Sequence, residues 1–599
     1  MVRVILRAPR KEGAKTKGSH TMSKESAAPR RGLAVAVLIF TLAAPAVARS
    51  APGDLDPSFG TDGKVTARVV TEPQAGVTAH DATAALMLPD GRVLSVGSAL
   101  TGDPGWSVVM ARFLPDGAAD PSFGVDGKVL ALSAFSFRAF AAALQPDGKI
   151  VVAGSSGPAV AFQENLIDVG LARFNPDGSL DASFGNGGVV ITNVFNNEDR
   201  ATAVAILADG RIVIGGFART FGFGSQYEFL LARYLPDGQR DVSFGVNGIR
   251  TTDFFGSWDF VHAIAVQPDG KIVAAGEVKF SPLVTLSSNY MSVGLARYHA
   301  DGQLDLSFGE GGKVHTEFFD ELGNVQHAAA SSVVLQDDGK ILVAGHVQRD
   351  DQTKRRDVIL ARYLPDGSLD PRFGTGGRVD TDLGRVDDAG NALLLQPDGK
   401  IVVSGDHATI DAFTTVSDNH NFLVQRYQPN GTLDPAFGSA GSVVTEFSTG
   451  LDFATAILQQ ADAKLVAAGA AGGGFGLARY LNPAPIAVAI DIQPGVFPNT
   501  VNLGSGGKVA VAIFGGPDFD ATTIDPATVT LASATPALKG KDRLMATVTD
   551  VDRDGFLDLV LHMEVDALYL ETSDTVAIVE GRTTGGVPFR GADTIRVLP

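Results

Sequence analysis

Apolar and polar residues alternate along this chain in short runs, and the runs recur as a block. Between residues 128 and 180, Val129–Leu132 and Ala139–Gln145 are apolar runs, and Pro146-Asp147-Gly148 follows as a turn. Lys149–Ala153 is rich in β-branched residues; after a variable stretch, Val169–Phe174 leads into Pro176-Asp177-Gly178. An Asp-Gly pair between two apolar runs predicts a hairpin, because both residues tolerate positive φ. Four short strands per unit, parted by polar turns, make one antiparallel sheet. No long helical periodicity occurs after the first 48 residues.

The block has two marked parts. One reads Leu-Gln-Pro-Asp-Gly-Lys-Ile-Val-Val-Ala-Gly, and the other ends in Ser-Phe-Gly or a near variant. The phenylalanines of the second part are Phe59, Phe123, Phe184, Phe244, Phe308, Phe373 and Phe437, a spacing of 60 to 65 residues. A fixed period of this length marks a repeat architecture, in which each unit buries its apolar face against its neighbours. Seven four-stranded sheets suit an all-β, seven-bladed β-propeller. A linear β-solenoid is the other reading, although its repeats are usually shorter. With these motifs, about residues 54–481 resemble the delta-60 repeat family of bacterial secreted proteins, similar to β-propeller domains of unknown function. That resemblance implies a fold and an export context, and no catalytic residue.

The two ends of the repeat region are complementary. Leu55-Asp56-Pro57-Ser58-Phe59-Gly60 has no Leu-Ala-Arg strand before it, and Leu477-Ala478-Arg479-Tyr480 has no Ser-Phe-Gly after it. A closed ring places Asp56 and Phe59 beside Arg479. Arg112, Arg173, Arg233, Arg297, Arg362 and Arg426 are each followed eight residues later by an aspartate, from Asp120 to Asp434. A pair needed equally in every unit serves the unit, so these are structural ion pairs.

The N-terminus reads as a secretory signal peptide over residues 1–48, with Met22 as the expected true start. Arg30 and Arg31 precede the apolar run Leu33–Ala44, and Ala46-Val47-Ala48 has the small-x-small form of a cleavage site. The paired arginines raise a twin-arginine route, which the residues around them fit poorly. The run is shorter than the ~20 residues a membrane span needs. The expected location is therefore secreted, periplasmic or at the cell surface, with no membrane span after cleavage. Residues 1–48 carry a net +7 and the whole chain −18, which leaves −25 for the rest. Such a surface excludes nucleic acid, which needs basic patches, and favours cations. The chain has no cysteine, so disulfides and thiolate metal sites are absent.

Loops alternate between the two faces of a four-stranded blade. Both Pro-Asp-Gly turns fall on one uniform face, and the loops of variable length and content fall on the other, where binding residues tend to sit. Those loops hold Trp106 and Trp258, the only tryptophans, with Phe221, Phe223, Tyr227, Phe280, Tyr290, His407, Phe413 and His420. Trp106, Tyr227, Trp258, Tyr290 and Phe413 are the candidate ligand-binding residues, for a glycan or a protein. Asp199, Asp259, Asp388 and Asp452 recur at the end of the first variable loop, with Asp81 shifted by one. They read as turn caps; converging, they would hold a cation or do acid–base work. Six histidines near these loops, His80, His315, His327, His346, His407 and His420, lack metal-ligand spacing. No nucleophile elbow, HExxH or phosphate loop occurs.

Asn482-Pro483-Ala484-Pro485 reads as a linker, and residues 486–599 as a β-sandwich built on runs such as Lys508–Phe514 and Leu557–Val565. Within it, Asp550, Asp552, Asp554 and Asp558 alternate around Gly555, the pattern of a calcium loop. It resembles EF-hand, dockerin and thrombospondin-type loops for nine residues. Leu561 then stands where an EF-hand has a bidentate Glu, and a strand follows instead of a helix. The expected ligands are the four aspartates and the Phe556 carbonyl, with calcium stabilising the domain. The functional expectation is a non-catalytic binding or adhesion scaffold. A polysaccharide hydrolase or lyase and a purely structural spacer stay open.

Overall fold

The computed structural model describes residues 51–69, 80–101, 105–131, 136–157, 167–220, 226–280, 290–320, 322–349, 355–384, 386–410, 416–448 and 450–599. Among them, seven antiparallel sheets of the repeat region form a closed β-propeller. Blade 1 is His80–Met87, Val93–Leu100, Trp106–Phe113 and Lys128–Ala131, from the axis outward. Blades 2 to 6 follow the same plan, blade 5 with the extra two-residue strand Phe318–Phe319. Blade 7 takes Phe453–Gln459, Leu465–Ala471 and Gly474–Tyr480 from the C-terminal end of the repeats and Lys64–Ala67 from the N-terminal end. No helix among the described residues is long and apolar enough to cross a membrane.

The strands fall where the apolar runs predict, but the phase of the unit differs. Lys128–Ala131 pairs with Val108–Ala111 of the blade before it, not with the strand that follows. The 128–180 template therefore straddles two blades. A short strand between two turns can pair on either side, and its apolar pattern does not say which.

The core is a set of seven apolar seams between neighbouring sheets. The seam of blades 7 and 1 joins Phe59, Val93 and Val109 to Val466, Ala468 and Leu477. Each of the seven repeat phenylalanines is fully buried in such a seam. Innermost strands are rich in alanine because they converge on the axis, where larger side chains would collide. Their outer partners are large aliphatic runs such as Ile212–Ile214 and Ile341–Val343, buried on both faces.

The recurring arginine is more than an intrablade pair. Arg112, Arg173 and Arg233 donate through Nε to Asp120, Asp181 and Asp241 at 2.6 to 2.7 Å. Each also sends Nη1 to a turn carbonyl of the next blade, as Arg112 does to Pro176. Each stacks over a repeat phenylalanine, 4.5 to 4.7 Å from the ring centre. One side chain thus closes a turn, covers a seam and ties two blades. The ring closes as expected: Arg479 meets Asp56 at 2.8 Å, stacks on Phe59 at 4.6 Å, and reaches the Pro115 carbonyl of blade 1.

Residues 486–599 form two four-stranded sheets around one apolar core, with Val509, Val511 and Leu561 from one sheet and Leu531, Val579 and Phe589 from the other. This domain docks on the Pro-Asp-Gly face, and the repeat signature marks where. Five units carry a serine before the repeat phenylalanine, to which the arginine Nη2 donates. The other two carry Arg372 and Ala436. Arg372 bonds Glu571 and the Leu570 carbonyl, and Arg362 donates to the Tyr569 hydroxyl instead. Arg582 reaches the Gly438 carbonyl beside Ala436. The docked domain leaves the variable face uncovered.

Candidate functional site

Two features on the variable face stand out, an aromatic pocket and a polar cluster at the mouth of the central cavity. The pocket, about 500 Å³, lies between blades 3 and 4 and is lined by Glu198, Arg200, Phe217, Arg219, Tyr227, Trp258 and Phe260. A parallel bridge between Tyr227 and Trp258 joins the two blades at its edge. Phe217, Tyr227 and Phe260 lie 4.9 to 5.4 Å apart, and Trp258 packs edge-on to Tyr227 at 6.0 Å. Trp258 is 46% exposed despite this packing, with the Lys279 ammonium 4.3 Å from its ring centre. The Tyr227 hydroxyl donates to Glu198 at 3.0 Å, and Glu198 pairs with Arg200 at 2.6 Å. Arg200 and Arg219 lie over the Phe217 and Tyr227 rings at 5.9 and 5.5 Å, and rings mixed with charged groups in this way suit a ligand with both apolar and hydroxylated faces.

The other predicted aromatics are placed separately. Trp106 opens the third strand of blade 1, with the Arg138 guanidinium 4.6 Å above its ring. Tyr290 opens the third strand of blade 4 and packs 5.3 Å from His327. Phe221, Phe223 and Phe413, and the side chains of His80, Asp81 and Phe280, lie outside the described residues.

The central cavity holds about 1070 Å³ and is lined by the seven innermost strands. Each of these strands carries a β-bulge, at Thr83, Phe140, Thr202, His262, Ser331, Asn391 and Thr455. All seven bulged residues line the cavity. The recurring glycine of the neighbouring strand makes room for the bulge. A Cβ on Gly276, Gly345 or Gly405 would sit 1.7 to 1.9 Å from a carbonyl oxygen of the innermost strand. Bulges re-aim side chains in this way beside functional sites.

In blades 4 to 6 the residue after that glycine also lines the cavity: Glu277, His346 and Asp406. Elsewhere the position is Ser98, Ser155, Phe217 or Ala470. Glu277 meets His262 Nε2 at 3.4 Å. Asp406 bonds His420 Nδ1 at 3.0 Å and Arg356 at 2.8 Å, and Arg356 also grips Asp387 at 2.7 Å. Burial favours the neutral form of His346 and brings its pKa down to about 4, helped by Arg356. Burial alone would raise the Glu277 carboxyl, but the His262 bond and the nearby histidines hold it below its ordinary value. Sequence reasoning missed Glu277, Arg356, Asp406 and His262. The readable signal was variation at a position next to a repeated glycine.

The recurring aspartates do not converge. Asp199 accepts from the Val194 N–H, Asp259 from Phe254, and Asp452 from Ser448, each capping the loop before its strand. Asp388 instead pairs with His407 at 2.7 Å. Burial raises Asp199 to about 6 and Asp259 to about 7, only partly opposed by those N–H bonds.

In the C-terminal domain, Asp550, Asp552 and Asp558 bring carboxylate oxygens within 4.8 Å of one another. Asp558 is fully buried and also accepts from the N–H groups of Gly515 and Val551. Asp550 Oδ1 is buried without a hydrogen bond. An all-oxygen donor set with one orphaned acceptor fits a hard cation. Asp554 is not among the three; its Oδ1 accepts from the Phe556 N–H at 2.8 Å and closes its own turn.

A family model described as a domain of unknown function (DUF5122) β-propeller matches residues 88–123, 145–184, 207–244, 267–308, 336–373 and 396–437. No curated protein matches the chain. Similar solved structures include a protein of unknown function from Dyadobacter fermentans, 12% identical with a TM-score of 0.34, covering 58% of this chain and 94% of its own. The polysaccharide lyase Uly1 is 11% identical with a TM-score of 0.31, covering 71% and 90%. An α-L-arabinanase from Cellvibrio cellulosa, complexed with arabinohexaose, is 13% identical with a TM-score of 0.27, covering 49% and 95%. Overlaps this shallow say nothing of function. Between residues 88 and 437, six repeat units of this chain match the DUF5122 β-propeller family.

Proposed function

We propose that this is an exported binding scaffold whose variable face takes a glycan. The four-ring pocket of Phe217, Tyr227, Trp258 and Phe260 carries the reading. Sugar rings stack their C–H faces on aromatics and give their hydroxyls to charged groups, and Glu198, Arg200 and Arg219 line the same pocket. On a glycan array, Tyr227→Ala and Trp258→Ala lower affinity about thirtyfold, the ~2 kcal/mol of an aromatic hot spot, with unchanged melting. Binding that survives both changes, or is lost instead on altering the Pro-Asp-Gly face, overturns the assignment. A hydrolase or lyase acting on the same glycans is the second reading, favoured by the His262–Glu277 and His420–Asp406 pairs in one cavity. New reducing ends in the array eluate, absent with Glu277→Gln, would establish it. Export rests on residues 1–48, and N-terminal sequencing of secreted material tests it.

The C-terminal loop in this reading holds calcium through Asp550, Asp552 and Asp558 and stabilises its domain. Extracellular modules of this kind bind at ~10⁻⁴–10⁻³ M. Calcium at ten to a hundred times that value stabilises the folded domain by roughly 1–3 kcal/mol, because only the folded state binds it. The melting temperature rises accordingly, and Asp550→Ala with Asp552→Ala abolishes the rise. A wild-type protein indifferent to calcium counts against the site.

A further inference from the structure

Sevenfold repetition makes the polar arc of blades 4 to 6 informative, because the four other blades show that the same positions fold without an ionisable group. At the bulge and post-glycine positions those blades carry Thr83 and Ser98, Phe140 and Ser155, Thr202 and Phe217, Thr455 and Ala470. Blades 4 to 6 carry His262 and Glu277, Ser331 and His346, Asn391 and Asp406. The fold does not need charge there, so the charge has another use.

The charges of the arc are unequally matched. Arg356 is shared between Asp387 and Asp406. The other guanidinium lining the cavity, Arg138 of blade 2, stacks on Trp106 and Phe140. Glu277 makes one hydrogen bond among the described residues, the 3.4 Å contact with His262, and no lysine or arginine among them pairs with it. His346 lines the same cavity, its ring makes no hydrogen bond among the described residues, and burial favours its neutral form. A half-buried carboxylate without a permanent cation is costly, and a charged donor from the ligand would offset that cost.

We propose that the mouth of the central cavity recognises a cationic amine on the bound glycan, with Glu277 as its counter-ion and His346 as a hydrogen-bond partner. The inference rests on the glycan reading of the variable face. A metal ion is the poorer fit: among the described residues, only Asp550, Asp552 and Asp558 bring three ligand atoms within 4.8 Å. An ammonium group has three N–H donors and does not require such convergence. The chain's net charge of −18 also favours a cationic ligand over a uronate or sulfated one.

The test compares glucosamine oligomers with N-acetylglucosamine oligomers of the same length, by calorimetry at neutral pH. Acetylation removes the charge and leaves the sugar ring. The wild type should bind the free-amine oligomer at least tenfold tighter, and added salt should shrink the difference. Glu277→Gln should bring the amine oligomer down to the acetylated value and leave the latter unchanged. Free glucosamine should displace the oligomer from the wild type at concentrations where N-acetylglucosamine does not, a readout independent of how the variant folds. Equal binding of both oligomers by the wild type overturns the amine site and leaves the glycan reading intact. A preference that persists in folded Glu277→Gln also overturns it. Binding of neither oligomer, with an array that shows no other glycan, ends both.

Discussion

Deleting residues 51–67 lowers the melting temperature of the propeller more than any single substitution in its blades, and exposes blade 7 to protease. The segment supplies the outermost strand of that blade, Lys64–Ala67, paired in register with Phe475–Ala478. It also supplies Phe59, fully buried in the seam between blades 7 and 1, and Asp56, the carboxylate partner of Arg479. Phe59→Ala alone should cost about 3–5 kcal/mol as a large-to-small core change. Asp56→Ala leaves the buried Arg479 guanidinium without its carboxylate, a loss of the same order. The deletion combines both with the loss of the outermost strand, which leaves the edge of Gly474–Tyr480 unpaired. Differential scanning calorimetry with limited proteolysis reads the result. A deletion that melts with the wild type would mean that the ring does not depend on closure.

Legibility followed repetition. Seven copies made the strands, the Pro-Asp-Gly turns and the Arg–Asp pairs readable, because noise in one unit is corrected by the others. Closure was readable from Asp56 and Arg479 for the same reason: each end lacked what the other held. The phase of the blade was not, since Lys128–Ala131 looks alike whichever neighbour it joins. Of the candidate aromatics, Tyr227 and Trp258 came together because both stand where a loop meets a strand, on adjacent blades. Trp106 stands on blade 1, away from that pocket, and Tyr290, although on blade 4, packs toward blade 5 against His327. The Glu277 arc was hidden for the opposite reason to the pairs. Attention to what repeats discards what varies, and the cavity chemistry lies in residues that differ from blade to blade. Arg372 and Ala436 carry the same lesson, two departures from Ser-Phe-Gly that mark the docked domain.

Stability should pass through a maximum near pH 4, measured as melting temperature with a chelator present. Two sets of aspartates act in opposite senses. Burial raises Asp199 and Asp357 to about 6 and Asp259 to about 7 in the folded protein, above the ordinary 3.8. Between about pH 7 and 4 the folded state therefore binds protons that the unfolded chain does not, and stability rises as pH falls. His346, brought down to about 4, acts against this over the same range, but it is one group against three. Below about pH 4 the turn aspartates take over. Burial would raise Asp56 and Asp241, but hydrogen bonds from Ser58 and Ser243, with the neighbouring cations, hold both at about 2. Asp120, Asp181 and Asp305 are held well below the ordinary value in the same way. Their stabilisation is complete above the unfolded value and is lost as pH falls toward 2, when the unfolded chain takes up protons that the folded one refuses. Because these aspartates also orient the arginines that tie blade to blade, the acid limb should be steep and cooperative around the ring. Asp259→Asn, neutral at every pH, should flatten the rise between pH 7 and 4 and leave the acid limb in place. A melting temperature that falls steadily from neutral pH, or a rise untouched by Asp259→Asn, would show that the buried loop caps are not ionised as described.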